Sequence, residues 1–229
     1  MHQPVSEIDP LTDVLVINDL QNDFFRYGNL PTLGADDMVY LTDFFASRFF
    51  KLDHVYFFGH RHSRSLFPER TPAAFVKHAV VTDPVIFTTV LDDGSIVREV
   101  GEGYSHGSAM HPGIGDLYNA HWSKGRGFIR VFRRECPLLG SQFSVFDVLR
   151  LDAHASRDGV RRIFFAGLHL EYCIANEVSY LLKTNVFREI VILEDLVRPC
   201  LPSVFQETKE KLQAAGARFV MSAKVFPLR

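Results

Sequence analysis

Short apolar runs alternate with segments of helical periodicity along most of this chain. Because short apolar runs between turn signals are typical of buried strands, they predict strands at residues 14–19, 54–59, 128–132, 163–168, 189–193 and 218–221. Apolar residues at helical spacing predict helices at residues 37–50, from 144 to about 157, from 173 onward and from 203 to 216. Strands that alternate with helices imply a mainly parallel sheet covered on both faces. We therefore expect one doubly wound α/β domain across residues 1–229.

One segment interrupts this alternation. Val85 to Val90 and Ser95 to Val100 flank Asp93-Gly94, a dipeptide that favours tight hairpin turns. We expect an inserted β-hairpin arm across about residues 85–100. The glycine-rich residues 101–127 that follow it predict a loop.

Two sequence patterns predict where helices begin. Ser144 with Asp147, and Ser203 with Gln206, resemble capping boxes, in which two side chains satisfy backbone N–H groups at a helix start. The second of these helices should stop at Gly216, because glycine is the residue most suited to the turn that ends a helix.

The composition narrows the class of protein. Of the 229 residues, 47% are hydrophobic and 23% are charged, which favours a sizeable core over disorder. A formal net charge of −2 gives no electrostatic reason to expect nucleic acid or an anionic membrane as a partner. The three cysteines, an odd number without a C-x-x-C pair, argue for a reducing compartment and against a disulfide framework. The first residues do not resemble a signal peptide and no apolar run has the length of a membrane span, so we expect a cytoplasmic protein.

Three side chains of complementary chemistry lie in loops beside predicted strands. Asp19 ends the first strand, Lys124 lies in a glycine-flanked loop before another, and Cys173 follows the strand at residues 163–168. Ligands of parallel sheets bind at the carboxyl ends of the strands. The first turn of a helix also lowers the pKa of a cysteine placed there. Together the three residues would form a nucleophile, its base and a cation that holds both.

Each of these residues, taken alone, has a commoner structural interpretation. Asp19 could cap the loop that follows it, Lys124 could be a solvated surface lysine, and Cys173 could be a small buried apolar side chain. Only the combination of the three favours a catalytic site.

The same residues lie in motifs that resemble those of the isochorismatase-like cysteine hydrolases, most closely their nicotinamidase branch. The similar segments follow the family order: residues 14–24 (VLVINDLQNDF), 28–36 (GNLPTLGAD), 124–125 (KG), 143–147 (FSVFD), 167–173 (GLHLEYC) and 195–199 (DLVRP). The last two are similar to eukaryotic nicotinamidases in particular. A series of motifs in the right order is far more specific than one short motif.

The resemblance implies a role for each site residue. Asp19 would accept the thiol proton, Lys124 would hold the Asp–Cys pair, and Cys173 would attack the carbonyl carbon of the substrate. The backbone N–H groups of His169 and Cys173 would face the developing oxyanion, next to a cis peptide bond between Leu168 and His169.

The resemblance also implies a substrate pocket that includes Phe24, His169 and Tyr172. The family normally has a small residue at the position of His169. An imidazole ring there would make the pocket smaller or more polar, which affects the choice of substrate.

A metal site follows the second strand in nicotinamidases. A gapless comparison retains one of the family's ligands as His60, whereas a shift of two residues gives the pair His60 and His62. Alternate residues of an extended segment point the same way, so both rings could reach one ion. The third ligand would be His78 or His106. We therefore expect one divalent ion, most simply zinc, with a metal-free loop as the open alternative.

Three functions remain open on the sequence. The first is hydrolysis of the C–N amide bond of a small molecule through a cysteine thioester, with nicotinamide to nicotinate as the leading reaction. The second is a metal-independent relative that acts on another small amide or on an enol ether. The third is a catalytically silent relative that works as a binding or assembly protein. We expect a small-molecule amide as the partner of a homo-oligomer, without nucleic acid and without a membrane.

Overall fold

The computed structural model describes residues 7–9, 12–49, 55–60, 62–63, 80–81, 89–90, 96–97, 109–116, 129–133 and 159–225. The strands within these residues are β1 (Asp13–Asn18), β2 (Val55–His60), β3 (His62–Ser63), β4 (Val80–Val81), β5 (Thr89–Val90), β6 (Ile96–Val97), β7 (Ile129–Arg133), β8 (Arg162–Leu168), β9 (Glu189–Arg198) and β10 (Arg218–Val220). The helices are α1 (Ala35–Phe49), α2 (Ala175–Thr184), α3 (Phe205–Ala214) and α4 (Ser222–Val225), with one further helical turn at residues 112–116.

Six strands form one parallel sheet in the order β10-β9-β8-β1-β2-β7. The chain runs outward from β1 to β2 and β7, returns to β8 on the other side of β1, and runs outward again to β9 and β10. β1 and β8 therefore flank the point where the strand order reverses. At such a point the loops beyond the carboxyl ends separate and leave a crevice for a ligand. The predicted α/β class with a mainly parallel sheet is confirmed.

Two apolar layers cover the two faces of this sheet. Successive residues of β1 alternate between them: Val14 and Val16 belong to the layer completed by α2 and α3, and Leu15 and Ile17 to the layer completed by α1. We call these the α2 layer and the α1 layer. Because both faces are buried, the strand is a continuous apolar run and shows no polar alternation. The α2 layer includes Ile174, Val178, Leu181 and Leu212, and the α1 layer includes Met38, Phe45 and Leu168.

The strand predicted at residues 189–193 is longer than expected, because β9 continues to Arg198. The polar pair Glu194 and Asp195 interrupts the apolar pattern, which made the run look shorter. Both carboxylates are bound by the elements that follow: Lys209 Nζ lies 2.6 Å from Glu194 Oε1, and the N–H of Ser222 donates to Asp195 Oδ1 at 2.7 Å. Because these donors bind both carboxylates, Glu194 and Asp195 do not end the strand.

The predicted capping box of Ser203 and Gln206 is wrong. Pro202–Val204 form a 3₁₀ turn, and α3 begins after it with no side-chain hydrogen bond at its cap. Gln206 Nε2 donates instead to Glu210 Oε1 at 2.8 Å, one turn further along the helix. The predicted stop is confirmed, since α3 ends just before Gly216, whose φ of 114° lies in the left-handed region.

Two short strand pairs lie outside the main sheet. β3 pairs with β4 in parallel, and β5 pairs with β6 antiparallel, with Thr89 opposite Val97. The second pairing agrees in direction with the predicted hairpin, whose turn at Asp93-Gly94 lies outside the described residues. The helix predicted from Ser144 to about residue 157 also lies outside them. The hairpin arm as a whole and that helix stay predictions.

In the part of the chain that the structure describes, no helix is long and apolar enough to cross a membrane. The cytoplasmic location and the homo-oligomer stay predictions.

Candidate functional site

Gly167 allows β8 to approach β1 closely at the point where the strand order reverses. It pairs with Asn18, the last residue of β1. Its φ is 112°, and a Cβ atom added to it would lie 2.0 Å from the carbonyl oxygen of Asn18. Only glycine fits this backbone. The two strand ends from which the site loops start are therefore held side by side.

Asp19 follows β1 at this edge and is fully buried. Its backbone leaves the strand with a φ of 51°, a left-handed conformation that aspartate adopts more readily than most residues. Its N–H donates to the carbonyl oxygen of Phe58 at 2.8 Å, and its own carbonyl accepts the N–H of Gln21 at 2.8 Å. These two bonds fix the Asp19 backbone between β1 and β2.

Cys173 follows β8 on the other side of the same crevice. Leu170–Ile174 form a π-helical turn that leads directly into α2, and Cys173 is only 2% exposed within it. The carbonyl oxygen of His169 accepts the N–H groups of both Tyr172 and Ile174 at 3.2 Å, which closes the turn around the cysteine. The peptide bond between Leu168 and His169 is cis, the conformation that the resemblance implies there.

The topology thus brings Asp19 and Cys173 to neighbouring strand ends at one edge of the sheet. In sequence they are far apart, and nothing local predicts that they meet. Lys124, the third residue of the predicted triad, lies outside the described residues.

The loop between β1 and α1 folds around Asp23. The Asp23 side chain accepts hydrogen bonds from the backbone N–H of Asn29 at 3.2 Å and from its Nδ2 at 2.7 Å. The Asp23 carbonyl accepts the N–H of Leu30 at 2.9 Å, and that of Phe24 accepts the N–H of Thr32 at 2.9 Å. The loop is therefore compact, and it brings Phe24 and Thr32 to the edge of the sheet where the site lies.

This loop meets the turn that carries Cys173 at His169. The ring is 4% exposed, and its Nε2 lies 2.6 Å from Thr32 Oγ1. The Phe24 ring lies edge-on at a centroid distance of 4.7 Å, and the Tyr172 ring lies edge-on at 6.5 Å. The three residues predicted for the pocket are thus neighbours, and the hydroxyl of Thr32 fixes the orientation of the imidazole.

Glu171 links the turn that carries Cys173 to the chain beyond β9. Its two carboxylate oxygens accept the backbone N–H groups of Cys200 at 3.1 Å and Leu201 at 2.9 Å. Burial, and secondarily the charge of Glu171, raise the pKa of the Cys200 thiol above its ordinary value. Cys200 therefore ionises less readily than an ordinary cysteine.

The segment at residues 109–116 covers the start of the same loop. The N–H of Asn22 donates to the Ala109 carbonyl at 2.9 Å, and the N–H of His111 donates to the Leu20 carbonyl at 2.8 Å. The His111 ring packs on Phe25 at a centroid distance of 4.2 Å, and burial lowers its pKa. An imidazole held neutral in this way acts as part of the apolar cover of the loop.

Two of the histidines predicted as metal ligands lie at the ends of described strands. β2 ends at His60, β3 begins at His62, and β3 pairs with β4, so that Val80 lies opposite His62. His78 precedes β4 in the sequence and lies outside the described residues. Among the residues that the structure does describe, no group of three histidine, cysteine or acidic side chains is placed to hold an ion.

Sequence reasoning missed Thr32 and the anchoring role of Glu171. Thr32 contacts His169 across 137 positions of the chain, and no local pattern marks such a contact. Glu171 lay inside the recognised motif, but its partners are backbone N–H groups, which every residue carries. Only the three-dimensional arrangement identifies either role.

Comparison with solved structures finds chains of the same architecture. PnC1 from L. infantum, solved in complex with nicotinate, has a TM-score of 0.69 at 20% identity, over 97% of this chain and 98% of that one. The pyrazinamidase of Pyrococcus horikoshii, in complex with zinc, has a TM-score of 0.62 at 19% identity, over 91% and 98%. The yeast nicotinamidase Pnc1p, bound to the inhibitor nicotinaldehyde, has a TM-score of 0.63 at 16% identity, over 92% and 100%.

No protein-family model matches the sequence, and no curated protein matches it either. At identities of 20% and below, the three structural likenesses establish the fold. The likenesses cover nearly the whole of both chains in each case. The chain therefore has the fold of the nicotinamidases and pyrazinamidases, in agreement with the resemblance carried by its motifs.

Proposed function

We propose that this protein hydrolyses the C–N amide bond of a small molecule through a cysteine thioester, with nicotinamide as the leading substrate. The observation that supports the proposal is that Asp19 and Cys173 follow the carboxyl ends of two paired strands, β1 and β8. A buried carboxylate and a cysteine in the turn that leads into a helix have the chemistry of a base and a nucleophile. The architecture shared with nicotinamidases supports the same chemistry.

The reaction would proceed in two steps. The Cys173 thiol transfers its proton to Asp19, and the sulfur attacks the amide carbon. The oxyanion that forms is stabilised by the backbone N–H groups of His169 and Cys173. The C–N bond then breaks, and ammonia leaves with the proton from Asp19. Water, activated by the same carboxylate, hydrolyses the thioester to the free acid and restores the thiol.

Phe24, His169 and Tyr172 would form the wall against which a planar substrate binds. The rings of Phe24 and Tyr172 each lie edge-on to the His169 imidazole, so the three residues form an aromatic cluster with one polar ring in it. Aromatic faces and edges of this kind favour a flat ring over a flexible chain. This supports an aromatic amide as the substrate class.

His60, His62 and His78 have the donor chemistry that zinc prefers. In support, β3, which begins at His62, pairs with β4 at Val80. We propose these three residues as the ligands of a divalent ion. Such an ion, when bound, supplies a Lewis acid that can bind an electron-pair donor of the substrate. Asp19 would accept the proton and Cys173 would act as the nucleophile without this ion.

Release of ammonia from a panel of small amides tests the proposal. The panel contains nicotinamide, pyrazinamide, benzamide and short aliphatic amides, with the Cys173→Ala variant as the negative control. Cys200→Ala is the matched control, because Cys200 is a half-buried thiol that lies beyond β9. We expect release from the aromatic amides, none with Cys173→Ala, and nearly full activity with Cys200→Ala. If no amide is hydrolysed while Cys173 labels no faster than Cys200, the chain is a binding protein.

A further inference from the structure

The last residue of β1 carries a buried amide that no protein group binds in the part of the chain that the structure describes. Asn18 is fully buried, and neither its Nδ2 nor its Oδ1 has a hydrogen-bond partner there. Residues 14–17, which precede it in the strand, are apolar and also buried. An apolar side chain at position 18 would continue that run without the free-energy cost of an unbonded amide. The amide therefore requires an explanation beyond the packing of the strand.

Asn18 lies at the point where the strand order reverses. Its register partners are Gly167 on β8 and Phe58 on β2. Gly167 has no side chain and that of Phe58 is apolar, so neither neighbour in the sheet offers the amide a side-chain donor or acceptor. A group that binds the amide has to come from the elements that cover this edge of the sheet, or from a small molecule bound beneath them.

The amide shares a face of the sheet with the turn that carries Cys173. Val16, two residues earlier in β1, belongs to the α2 layer, and side-chain direction alternates along a strand, so Asn18 lies on the same face. The turn Leu170–Ile174 contributes its first and last residues to that layer. Asn18 also directly precedes Asp19 in the chain. It therefore adjoins the proposed base, on the face that the turn of the proposed nucleophile covers.

Thr42 offers a comparison within the same molecule. Its hydroxyl is also buried without a hydrogen-bond partner among the described residues. It lies in the middle of α1, however, which covers the other face of the sheet. The effect of losing a buried, unbonded polar group in general can therefore be measured separately from the effect of losing the one at the reversal point.

The proposed reaction uses a water molecule after ammonia has left, and the amide of Asn18 matches that molecule chemically. Water both donates and accepts hydrogen bonds, and the amide offers an acceptor oxygen and an N–H₂ donor group. A water molecule also bridges polar groups that are too far apart for a direct hydrogen bond. The amide carries no charge, so it leaves undisturbed the proton exchange between Asp19 and Cys173, which a further charged group would shift.

We propose that Asn18 binds the water molecule that hydrolyses the thioester of Cys173. The inference rests on the proposed cysteine chemistry and assigns a residue to its second step. Asn18 Oδ1 accepts one O–H of the water, and Asp19 takes the proton of the other as the water oxygen attacks the thioester carbon. The C–S bond then breaks, the free acid leaves, and the proton passes from Asp19 to the Cys173 sulfur. Loss of Asn18 should therefore slow the second step and spare the first.

Three variants test the assignment: Asn18→Leu, which has nearly the shape of asparagine, Asn18→Thr, which retains a hydroxyl, and Thr42→Val as the matched control. The p-nitrophenyl ester of nicotinic acid separates the two steps, because acylation of Cys173 releases a burst of nitrophenol and hydrolysis of the thioester sets the steady rate. In Asn18→Leu the steady rate should fall by about a hundredfold, since the water is no longer oriented. The burst rate should stay within about threefold of wild type. Mass spectrometry should find the thioester accumulated on Cys173.

Asn18→Thr should recover part of the steady rate, and Thr42→Val should change it by less than about twofold. Equal slowing of the burst and the steady rate in Asn18→Leu overturns the assignment, because the amide then acts through the fold. An unchanged steady rate, or the same loss in Thr42→Val, overturns it as well. Asn18→Val replaces Asn18→Leu in these comparisons if the latter does not fold.

The ester assay also separates this assignment from the proposed function. If wild type hydrolyses no amide but shows the ester burst, and Asn18→Leu slows only the steady rate, the assignment of Asn18 stands and the amide substrate does not. If wild type hydrolyses amides and Asn18→Leu keeps the steady rate on the ester, the proposed function stands and the assignment does not. A wild-type protein without any burst at Cys173 overturns both.

Discussion

The two ends of β1 each bury an aspartate against β8, and they use it differently. At the amino end, Arg162 Nε donates to Asp13 Oδ1 at 2.8 Å and its Nη2 binds the other carboxylate oxygen, while the same Nη2 donates to the carbonyl of Glu7 at 2.7 Å. Burial raises the pKa of Asp13, although Arg162 and the N–H of Asp9 oppose the rise. At the carboxyl end, Asp19 leaves the strand in a left-handed conformation beside Gly167 and the cysteine turn.

The comparison separates a carboxylate that stabilises the fold from one that we propose takes part in the reaction. Asp13 accepts hydrogen bonds from the N–H of Asp9, which precedes β1, and from Arg162 of the neighbouring strand. Asp19 is bound through its backbone to β2 and stands across the crevice from Cys173. The same residue type in the same strand thus acquires its role from the edge at which it lies.

The largest expected effect is a loss of kcat when Asp19 is replaced by asparagine, compared with the same replacement of Asp13. Asp19→Asn should lower kcat by about a thousandfold or more, because an amide cannot accept the thiol proton. Asp13→Asn should leave kcat within about twofold. It should lower the free energy of unfolding by about 3 kcal/mol, since Arg162 loses its buried charge partner. Steady-state kinetics and urea denaturation of both variants check this, and equal losses of kcat would remove the distinction between the two edges.

The next effect concerns the close approach of β1 and β8. Gly167→Ala should lower the free energy of unfolding by about 4 kcal/mol, because its Cβ would collide with the Asn18 carbonyl in a left-handed conformation. Gly159→Ala is the control: it has a φ of 74° but nothing within 4 Å of an added Cβ, and should cost about 1 kcal/mol. Thermal and urea unfolding measure both. A Gly167→Ala protein as stable as Gly159→Ala would mean that the strands can separate at the site.

A smaller effect is expected at the Thr32–His169 hydrogen bond. Thr32→Val keeps the shape of the side chain but leaves the buried Nε2 of His169 without the hydroxyl, so kcat/KM should fall by about tenfold. Thr42→Val is the matched control. The Thr42 hydroxyl is buried in α1 without a hydrogen-bond partner in the described part of the chain, and its loss should be neutral or slightly stabilising. Kinetics on two amides of different ring size, combined with unfolding, would show whether Thr32 tunes specificity or only stability.

The smallest effect expected is a shift in the pH at which Cys200 reacts. Its pKa is raised, so at any pH below that value a smaller fraction is thiolate than in an ordinary cysteine, and labelling should rise only in alkaline solution. Glu171→Gln removes the secondary cause and should move the labelling curve of Cys200 modestly to lower pH. Site-resolved mass spectrometry after iodoacetamide treatment measures this. A Cys200 curve that does not move would leave burial as the only cause.

The sheet was predictable because burial on both faces leaves a plain signal. β1 and β8 are continuous apolar runs, and each lies within one residue of its predicted bounds. The end of β9 was not predictable, because Glu194 and Asp195 are bound within the strand by donors from later helices, the Lys209 side chain and the Ser222 N–H. The local sequence pattern shows whether a residue is polar, but it does not show which distant groups will form hydrogen bonds with that residue.

The site was predictable in part for the same reason. The positions of Asp19 and Cys173 at strand ends follow from the apolar runs before them, and the motifs identified their chemistry. The contact of Thr32 with His169 depends on the shape of a loop and on a distant turn, neither of which has a local signal.

The strand order has a consequence for synthesis on the ribosome. β1 is made early, but its neighbour β8 follows about 150 residues later, as the 149-residue separation of Asp13 and Arg162 shows. At common rates of translation that interval lasts roughly 10 to 30 seconds. During it one edge of an almost wholly apolar strand has no partner and is able to pair with another nascent chain. The polar residues at its two ends, Asp13 at the start and Asn18 with Asp19 at the finish, then serve as gatekeepers against aggregation before any of them has a role in the folded protein.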